Sequence, residues 1–234
     1  DFREVTLEAN PEDMTETQIQ AWVELGVTRL SLGVQSFHND TLNWMNRAHT
    51  GVQAERAIHL AHELGVKAMT LDLIYGVPTS RSWDNDIARA IALPIQHLSA
   101  YALTVEPGTV LGTRVERGAE QPAPDARTAE EYQRLCNTMA EQGWSHYETS
   151  NWAAPDGLGG HRRAQHNSAY WAGTPYLGLG PGAHGFDGTT RYANVSNNPL
   201  YLRHTAEGAL CEERETLQPS DRYNEALMTG LRTA

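Results

Sequence analysis

The chain has 234 residues, 40% of them hydrophobic, a formal net charge of −11 and two cysteines, which is enough for one α/β domain with a core of its own and a small appendage. The negative balance excludes nucleic acid as the main partner, since phosphate binding needs a clustered basic surface. No long apolar run is present, which excludes a membrane span and leaves only peripheral membrane association, and Cys136 and Cys211 lie too far apart in sequence for a disulfide framework, in keeping with a cytoplasmic location.

Asp1-Phe2-Arg3 leads directly into a strand, Val5-Thr-Leu-Glu8, an abrupt start that reads as a fragment. Thr15 then caps a helix running to about Leu25, stopped by Gly26. A second strand, Leu30-Ser-Leu-Gly-Val-Gln35, is followed by a short helix near Leu42–Met45 and a longer one from Val52 to Leu64, whose apolar spacing (Ala54, Ala57, Ile58, Ala61) marks one buried face. The third strand, around Met69-Thr-Leu-Asp72, ends in the rigid loop Tyr75-Gly-Val-Pro78. Ser82 caps a helix over Trp83–Leu93 ahead of a fourth strand, Leu98-Ser-Ala-Tyr101. Beyond Thr104 the pattern weakens, with a turn at Glu106-Pro-Gly108 and a linker-like stretch over Gly118–Pro124, until a helix resumes over Ala126–Gln142. Residues 144–187 are rich in glycine, aromatics and histidine and show no clear periodicity, and a last helix covers Asp221–Leu231. The expected division is a barrel part, 1–143, and an irregular, partly helical C-terminal part, 144–234.

Alternation puts Leu30, Leu32, Val34, Met69, Leu71 and Leu98 on one face of the strands and Glu8, Ser31, Gly33, Gln35, Asp72 and Ser99 on the other. Strands alternating with helices imply parallel βαβ units with the helices outside, so the polar face is the inner one. A filled (β/α) barrel packs branched apolar side chains there; polar groups imply a ligand.

Two regions carry candidate chemistry. At the C-terminal strand ends Glu8, Gln35, Arg47 and Asp72 converge, a set suited to a ligand joining a sugar to an amino acid: a carboxylate takes ribose hydroxyls, an arginine takes a carboxylate, and Glu8 takes an ammonium. The bland alternative is that these groups satisfy one another or cap helices. The second region is His166-Asn-Ser-Ala-Tyr-Trp171 with Tyr176 to His184, where imidazole and flat rings suit a porphyrin; against this stands ordinary aromatic packing under a loop.

Several runs resemble the radical S-adenosylmethionine family of oxygen-independent coproporphyrinogen III oxidases and their relatives: Glu8-Ala-Asn-Pro11, Arg29 to Phe37, Asn46-Arg-Ala-His49, Asp72-Leu-Ile-Tyr-Gly-Val-Pro78 and Tyr101 to Thr109. The resemblance implies an incomplete (β/α)6 barrel of parallel strands. It also implies S-adenosylmethionine contacts: Arg47 for the methionine carboxylate, Gln35 and Asp72 for ribose, Glu8 near the amino end. His166-Asn167-x-x-Tyr170-Trp171 resembles the heme chaperone branch of that family, which makes His166, Asn167, Tyr170, Trp171 and, more weakly, His184 the heme-handling candidates and implies delivery of heme to acceptor proteins. The competing expectation is an oxidase that decarboxylates porphyrinogen propionates by radical chemistry; a cofactor-free hydrolase or isomerase using Glu8 and Asp72 as an acid–base pair is a third class. The family's 4Fe-4S cluster rests on a C-x3-C-x2-C loop that this sequence does not contain, so the expectation is truncation at both ends, a cluster in the full-length protein only, and no radical chemistry from this chain alone.

Overall fold

A computed structural model describes residues 2–233 and separates them into two compact units, one up to Ala164 and one from Gln165 onward. In the first, β1 (Thr6–Ala9), β2 (Arg29–Gln35), β3 (Ala68–Tyr75) and β4 (His97–Ala102) pair in parallel in chain order. Helices α1 (Glu16–Glu24), α2 (Asn39–Trp44), α3 (Gly51–Glu63) and α4 (Trp83–Ala92) fill the connections. Their starts follow from local chemistry: the Gln18 and Asn85 amides donate to the hydroxyls of Thr15 and Ser82, and Thr50 and Gln53 form a reciprocal capping box.

The apolar face of the strands is sealed. Leu30, Leu32, Val34, Met69, Leu71, Leu73 and Leu98 are buried and pack with Ile19 of α1, Ala54, Ala57, Ile58 and Ala61 of α3, and Ile87 and Ala90 of α4 in one core. Each such side chain contributes roughly 1.5–3 kcal/mol when fully buried, which fixes the register, because a slip by one residue would turn the polar face into that core. The parallel α/β architecture expected from the sequence is therefore the one observed.

The sheet continues differently. After α5 (Val110–Glu116) and α6 (Asp125–Glu141), β5 (Ser145–Glu148) and β6 (Asn151–Ala153) form an antiparallel hairpin, and β6 pairs antiparallel with β4, giving the order β1-β2-β3-β4-β6-β5. Trp152 of β6 is fully buried in the core. Three expectations need correction. Residues 145–164 belong with the first unit, so the division falls at 164/165 and not at 143/144, because the hairpin completes the sheet. Residues 110–116, where the sequence pattern weakens and no helix was expected, form a helix whose Gly112 amide donates to the Thr109 hydroxyl. The stretch 144–187 is more regular than its composition suggests, because very short strands hold too few residues to show an alternation.

The second unit contains α7 (Gln165–Trp171), β7 (His184–Phe186), β8 (Thr190–Asn194), α8 (Asn198–Ala206), β9 (Glu212–Thr216) and α9 (Pro219–Arg232), with β7, β8 and β9 in an antiparallel sheet. Close approach ties it together: a Cβ on Gly185 would stand 2.0 Å from the Tyr192 ring, and a Cβ on Gly178 2.0 Å from the His184 carbonyl oxygen. No described helix is long and apolar enough to cross a membrane.

Candidate functional site

The polar face of the first unit changes character along the strands. At their N-terminal ends it is closed: Arg29, Thr70 and His97 are buried, Arg29 pairs with Glu4 at 2.9 Å and donates to the Thr70 hydroxyl at 3.2 Å, and His97 Nε2 lies 2.7 Å from the Tyr147 hydroxyl. Burial, helped by the Arg29 charge, pushes the His97 pKa down to about 3, so this imidazole stays neutral. At the C-terminal ends the same face opens into a cleft of about 370 Å³ lined by Glu8, Asn10, Ser31, Gly33, Gln35 and Asp72.

Asp72 lines that cleft, next to Gly33 on β2 and Ser99 on β4 in the ladder. Burial, and secondarily the Glu8 charge, raises its pKa to about 6, although the hydroxyls of Ser99 and Ser31 bond to the carboxylate and favour its charged form. A carboxylate with little water and two neighbouring hydroxyls already in place accepts further hydroxyl donors readily.

Gln35 ends β2 at a bulge, where the pairing with β3 slips between Gly33 and Gln35, and it takes a left-handed backbone with φ 68°. The neighbouring chain is held from several sides: His49 Nε2 lies 3.1 Å from the Val34 carbonyl, the buried Asp86 accepts from Ser36 Oγ at 2.9 Å and from the Phe37 amide at 2.7 Å, and Arg89 donates to the Phe37 carbonyl at 3.0 Å. Arg47 reaches the same place from the loop after α2. Its Nη2 donates to Asn10 Oδ1 at 2.7 Å and to the Gly33 carbonyl at 2.9 Å, while its buried Nε has no partner. Gly33 is small for a reason, since a Cβ there would stand 3.0 Å from Gln35 Nε2 and 3.4 Å from both Arg47 Nη2 and Asn10 Oδ1.

The structure thus brings together the four residues expected in this cleft: Glu8, Gln35 and Asp72 line it, and Arg47 is bonded to two groups of its wall. Asn10, which orients the guanidinium, was missed in the sequence because it follows β1 and shares no alternation with it. The unpaired Nε, the hydroxyl-flanked carboxylate and the glycine-made space fit a ligand that carries both a carboxylate and a diol.

In the second unit His166, Asn167, Tyr170 and Trp171 all lie on α7, a helix where the sequence suggested loop. Tyr170, largely exposed, stands edge-on to His166 and to Tyr176, with ring centroids 4.6 Å apart in both cases. The Arg232 guanidinium lies 5.2 Å from the centre of the Trp171 ring. His184 occupies another place: it begins β7 and lines a cavity of about 430 Å³ with Asn194, Cys211 and Glu212, to which no α7 residue contributes. Cys136 is on α6, packed against the core of the first unit. Among the described residues no three His, Cys, Asp or Glu side chains are grouped as metal ligands, so the side chains present do not fit an iron–sulfur cluster.

Comparison with known proteins places these observations in a family. Residues 1–91 match the Radical SAM superfamily. The chain is 33% identical over 235 residues to the heme chaperone HemW of Bacillus subtilis, covering 99% of this chain and 61% of that protein. It is 37% identical over 211 residues to HemW of Mycobacterium tuberculosis, covering 88% of this chain and 52% of that protein. A bovine relative, the mitochondrial radical S-adenosyl methionine domain-containing protein 1, is 34% identical over 97% of this chain and 48% of its own length. The chain therefore spans between about half and three fifths of the relatives it matches. The solved structure of Escherichia coli coproporphyrinogen III oxidase, HemN, described as a radical SAM enzyme, superposes with a TM-score of 0.79 at 21% identity, over 98% of this chain and 55% of that one, a likeness of fold.

Proposed function

Because this chain belongs to the radical SAM superfamily, in its HemW-like branch, we propose that it takes part in holding heme and handing it to acceptor proteins. The observation that carries this reading is the gathering of His166, Asn167, Tyr170 and Trp171 on one short helix, in a chain 33% identical to a heme chaperone over 99% of its length. In this reading His166 offers imidazole to iron, the Tyr170 and Trp171 rings border the macrocycle, Asn167 bonds to its polar edge and His184 is an auxiliary candidate.

The cleft of the first unit is assigned to S-adenosylmethionine. Arg47 takes the methionine carboxylate, Gln35 and Asp72 the ribose hydroxyls, and Glu8 the ammonium; Arg47, held by Asn10 and the Gly33 carbonyl, and Asp72, flanked by two hydroxyls, are in place before the ligand arrives. In this superfamily S-adenosylmethionine bound beside an iron–sulfur cluster is a radical source. The described residues supply no cluster ligands, and the cleft is read here as a binding site.

A hemin titration of this chain, followed through the Soret band, tests the heme assignment against the double variant His166→Ala, Tyr170→Ala. A saturable shift near one equivalent, weakened at least about tenfold in the variant, is expected. Equal titrations of the two proteins would remove heme from α7.

A further inference from the structure

Two histidines, His49 and His97, are buried among the described residues, and they differ in what their ring nitrogens meet. His97 sets Nε2 against the Tyr147 hydroxyl, which can give or take a hydrogen bond, and its Nδ1 has no partner, so a neutral ring satisfies the site. His49, with none of its side chain exposed, meets an acceptor at each nitrogen: Nε2 lies 3.1 Å from the Val34 carbonyl and Nδ1 2.9 Å from Glu12 Oε2. A carbonyl and an ionised carboxylate only accept, so the ring spans the two while it carries both protons.

Both ends of this bridge belong to the cleft wall. Glu12 lies in the 3-10 turn Pro11–Asp13, directly after the segment that brings Glu8 and Asn10 to the cleft. The Val34 carbonyl also receives the Ser36 amide at 2.9 Å, and with Gln35 between them at φ 68° this closes a γ-turn of the strained, positive-φ kind. That turn aims Gln35, which lines the cleft and a neighbouring cavity of about 600 Å³. His49 is itself anchored, since the capping box of Thr50 and Gln53 begins at the next residue. One ring thus ties the turn that aims Gln35 to the segment that carries Glu8 and Asn10. Of the charged groups on the surrounding elements, Glu12 touches the ring, Asp13 accepts from Asn10, and Arg47 holds the Gly33 carbonyl. From α4, Arg89 holds the Phe37 carbonyl and Asp86 the Phe37 amide, while Glu55 of α3 is taken by Arg89. His38, a second titratable ring on this stretch, turns to the Ser82 carbonyl at 3.1 Å.

We propose that His49 is a proton-dependent clamp on the cleft, a positioning residue that makes ligand affinity depend on pH. With two protons the ring bridges Glu12 and the γ-turn. When Nδ1 gives up its proton, its lone pair faces the Glu12 carboxylate, the bridge opens at that end, and the turn presenting Gln35 is held less firmly. Affinity for a ribose-bearing ligand therefore falls as pH rises. The inference rests on the S-adenosylmethionine reading of the cleft, because it takes Gln35 as a ribose contact.

The test is a calorimetric titration of the chain with S-adenosylmethionine and with methylthioadenosine, which keeps the ribose and carries no charge, from about pH 6.5 to about pH 9, where histidines lose a proton. Wild-type affinity for the uncharged nucleoside is expected to fall about fivefold over this range, the order of one charge-assisted hydrogen bond. Asp72, raised to about 6 by burial, acts in the opposite sense and only at the start of the range. Glu12→Gln, on a side chain 29% exposed, supplies a carboxamide that donates to a neutral Nδ1, and it should bind at the low-pH level throughout. His49→Gln keeps a donor for Val34 but sets an oxygen against Glu12, and it should bind at the high-pH level throughout; His38→Gln should follow the wild type. In parallel, nitrogen NMR of histidine-labelled protein, with the His49 signals identified by their loss in His49→Gln, should show both ring nitrogens protonated at about pH 6.5. A flat wild-type profile, a Glu12→Gln profile that falls like the wild type, or a bare His49 nitrogen at the acid end overturns the proposal. If neither nucleoside binds, the S-adenosylmethionine reading falls, and the ring nitrogens alone decide the clamp: two protons uphold it and a bare nitrogen removes it.

Discussion

The two units solve the problem of burial in opposite ways. Up to Ala164 a continuous core runs from Met14 to Trp152, and even charged groups such as Arg81 and Asp86 are withdrawn from water and paired. From Gln165 onward only Gly185 and Leu217 are buried among the described residues; order there rests on strand ladders, turns and ring contacts such as His166–Tyr170–Tyr176. A unit with so little buried apolar area has little free energy in hand, and a ligand that binds only its folded form adds stability in proportion to its affinity. The proposed heme site thus lies where occupancy matters most for folding, and the proposed S-adenosylmethionine cleft lies where it matters least.

Three experiments sharpen or break this contrast. The largest effect is expected from Asp86→Ala, which leaves Arg81 buried beside one remaining partner, Glu131, and strips the Phe37 amide of its acceptor. Urea unfolding of the first unit should show a loss of about 3–5 kcal/mol; a loss below about 1 kcal/mol would mean that water reaches this network despite its full burial. A more direct comparison, read as the difference between two costs, sets Leu71→Ala, in the sealed core, against Leu217→Ala, one of the two buried residues of the second unit. Costs of about 3–5 and under about 2 kcal/mol are expected, and equal costs would show that the second unit is as tightly packed as the first.

The smallest effect is a pH slope carried by the inner face of the sheet. His97, held near 3 against an ordinary 6.5, binds its proton less readily folded than unfolded, so it costs stability as pH falls from about 6.5. Asp72, raised from 3.8 to about 6, binds its proton more readily folded than unfolded, so it costs stability as pH rises from about 4 to about 6. The two slopes oppose each other between about 4 and 6, and the wild type should be nearly flat there. Asp72→Asn should lose stability on acidification in that window, and His97→Gln should gain it. Parallel curves for all three proteins would mean that neither group is desolvated as the fold suggests.

How much of this was legible in the sequence follows from the same contrast. Long strands such as β2 and β3 alternate over enough residues to display both faces, and one of those faces named Gln35, Asp72 and Glu8 as cleft residues. Arg47, a loop residue, carries no periodic signal; it was legible as an arginine close behind a strand end, and its assigned part came from the family resemblance. The hairpin of β5 and β6, at 4 and 3 residues, is too short to alternate, and its membership of the first sheet is set by pairing with β4, a contact about fifty positions away in the chain that local pattern does not encode. The helix carrying His166 was hidden by its many aromatic and polar residues, which are poor helix formers individually.

Gln35 shows what such a site asks of inheritance. Its backbone is left-handed at φ 68° and its amide borders two cavities. Glycine keeps that backbone and forfeits the amide; leucine or valine keeps neither; asparagine, at ease in this conformation, keeps both on a shorter arm. The range of viable codons is therefore narrow at this position, even though the residue is only half-buried and takes no part in the core.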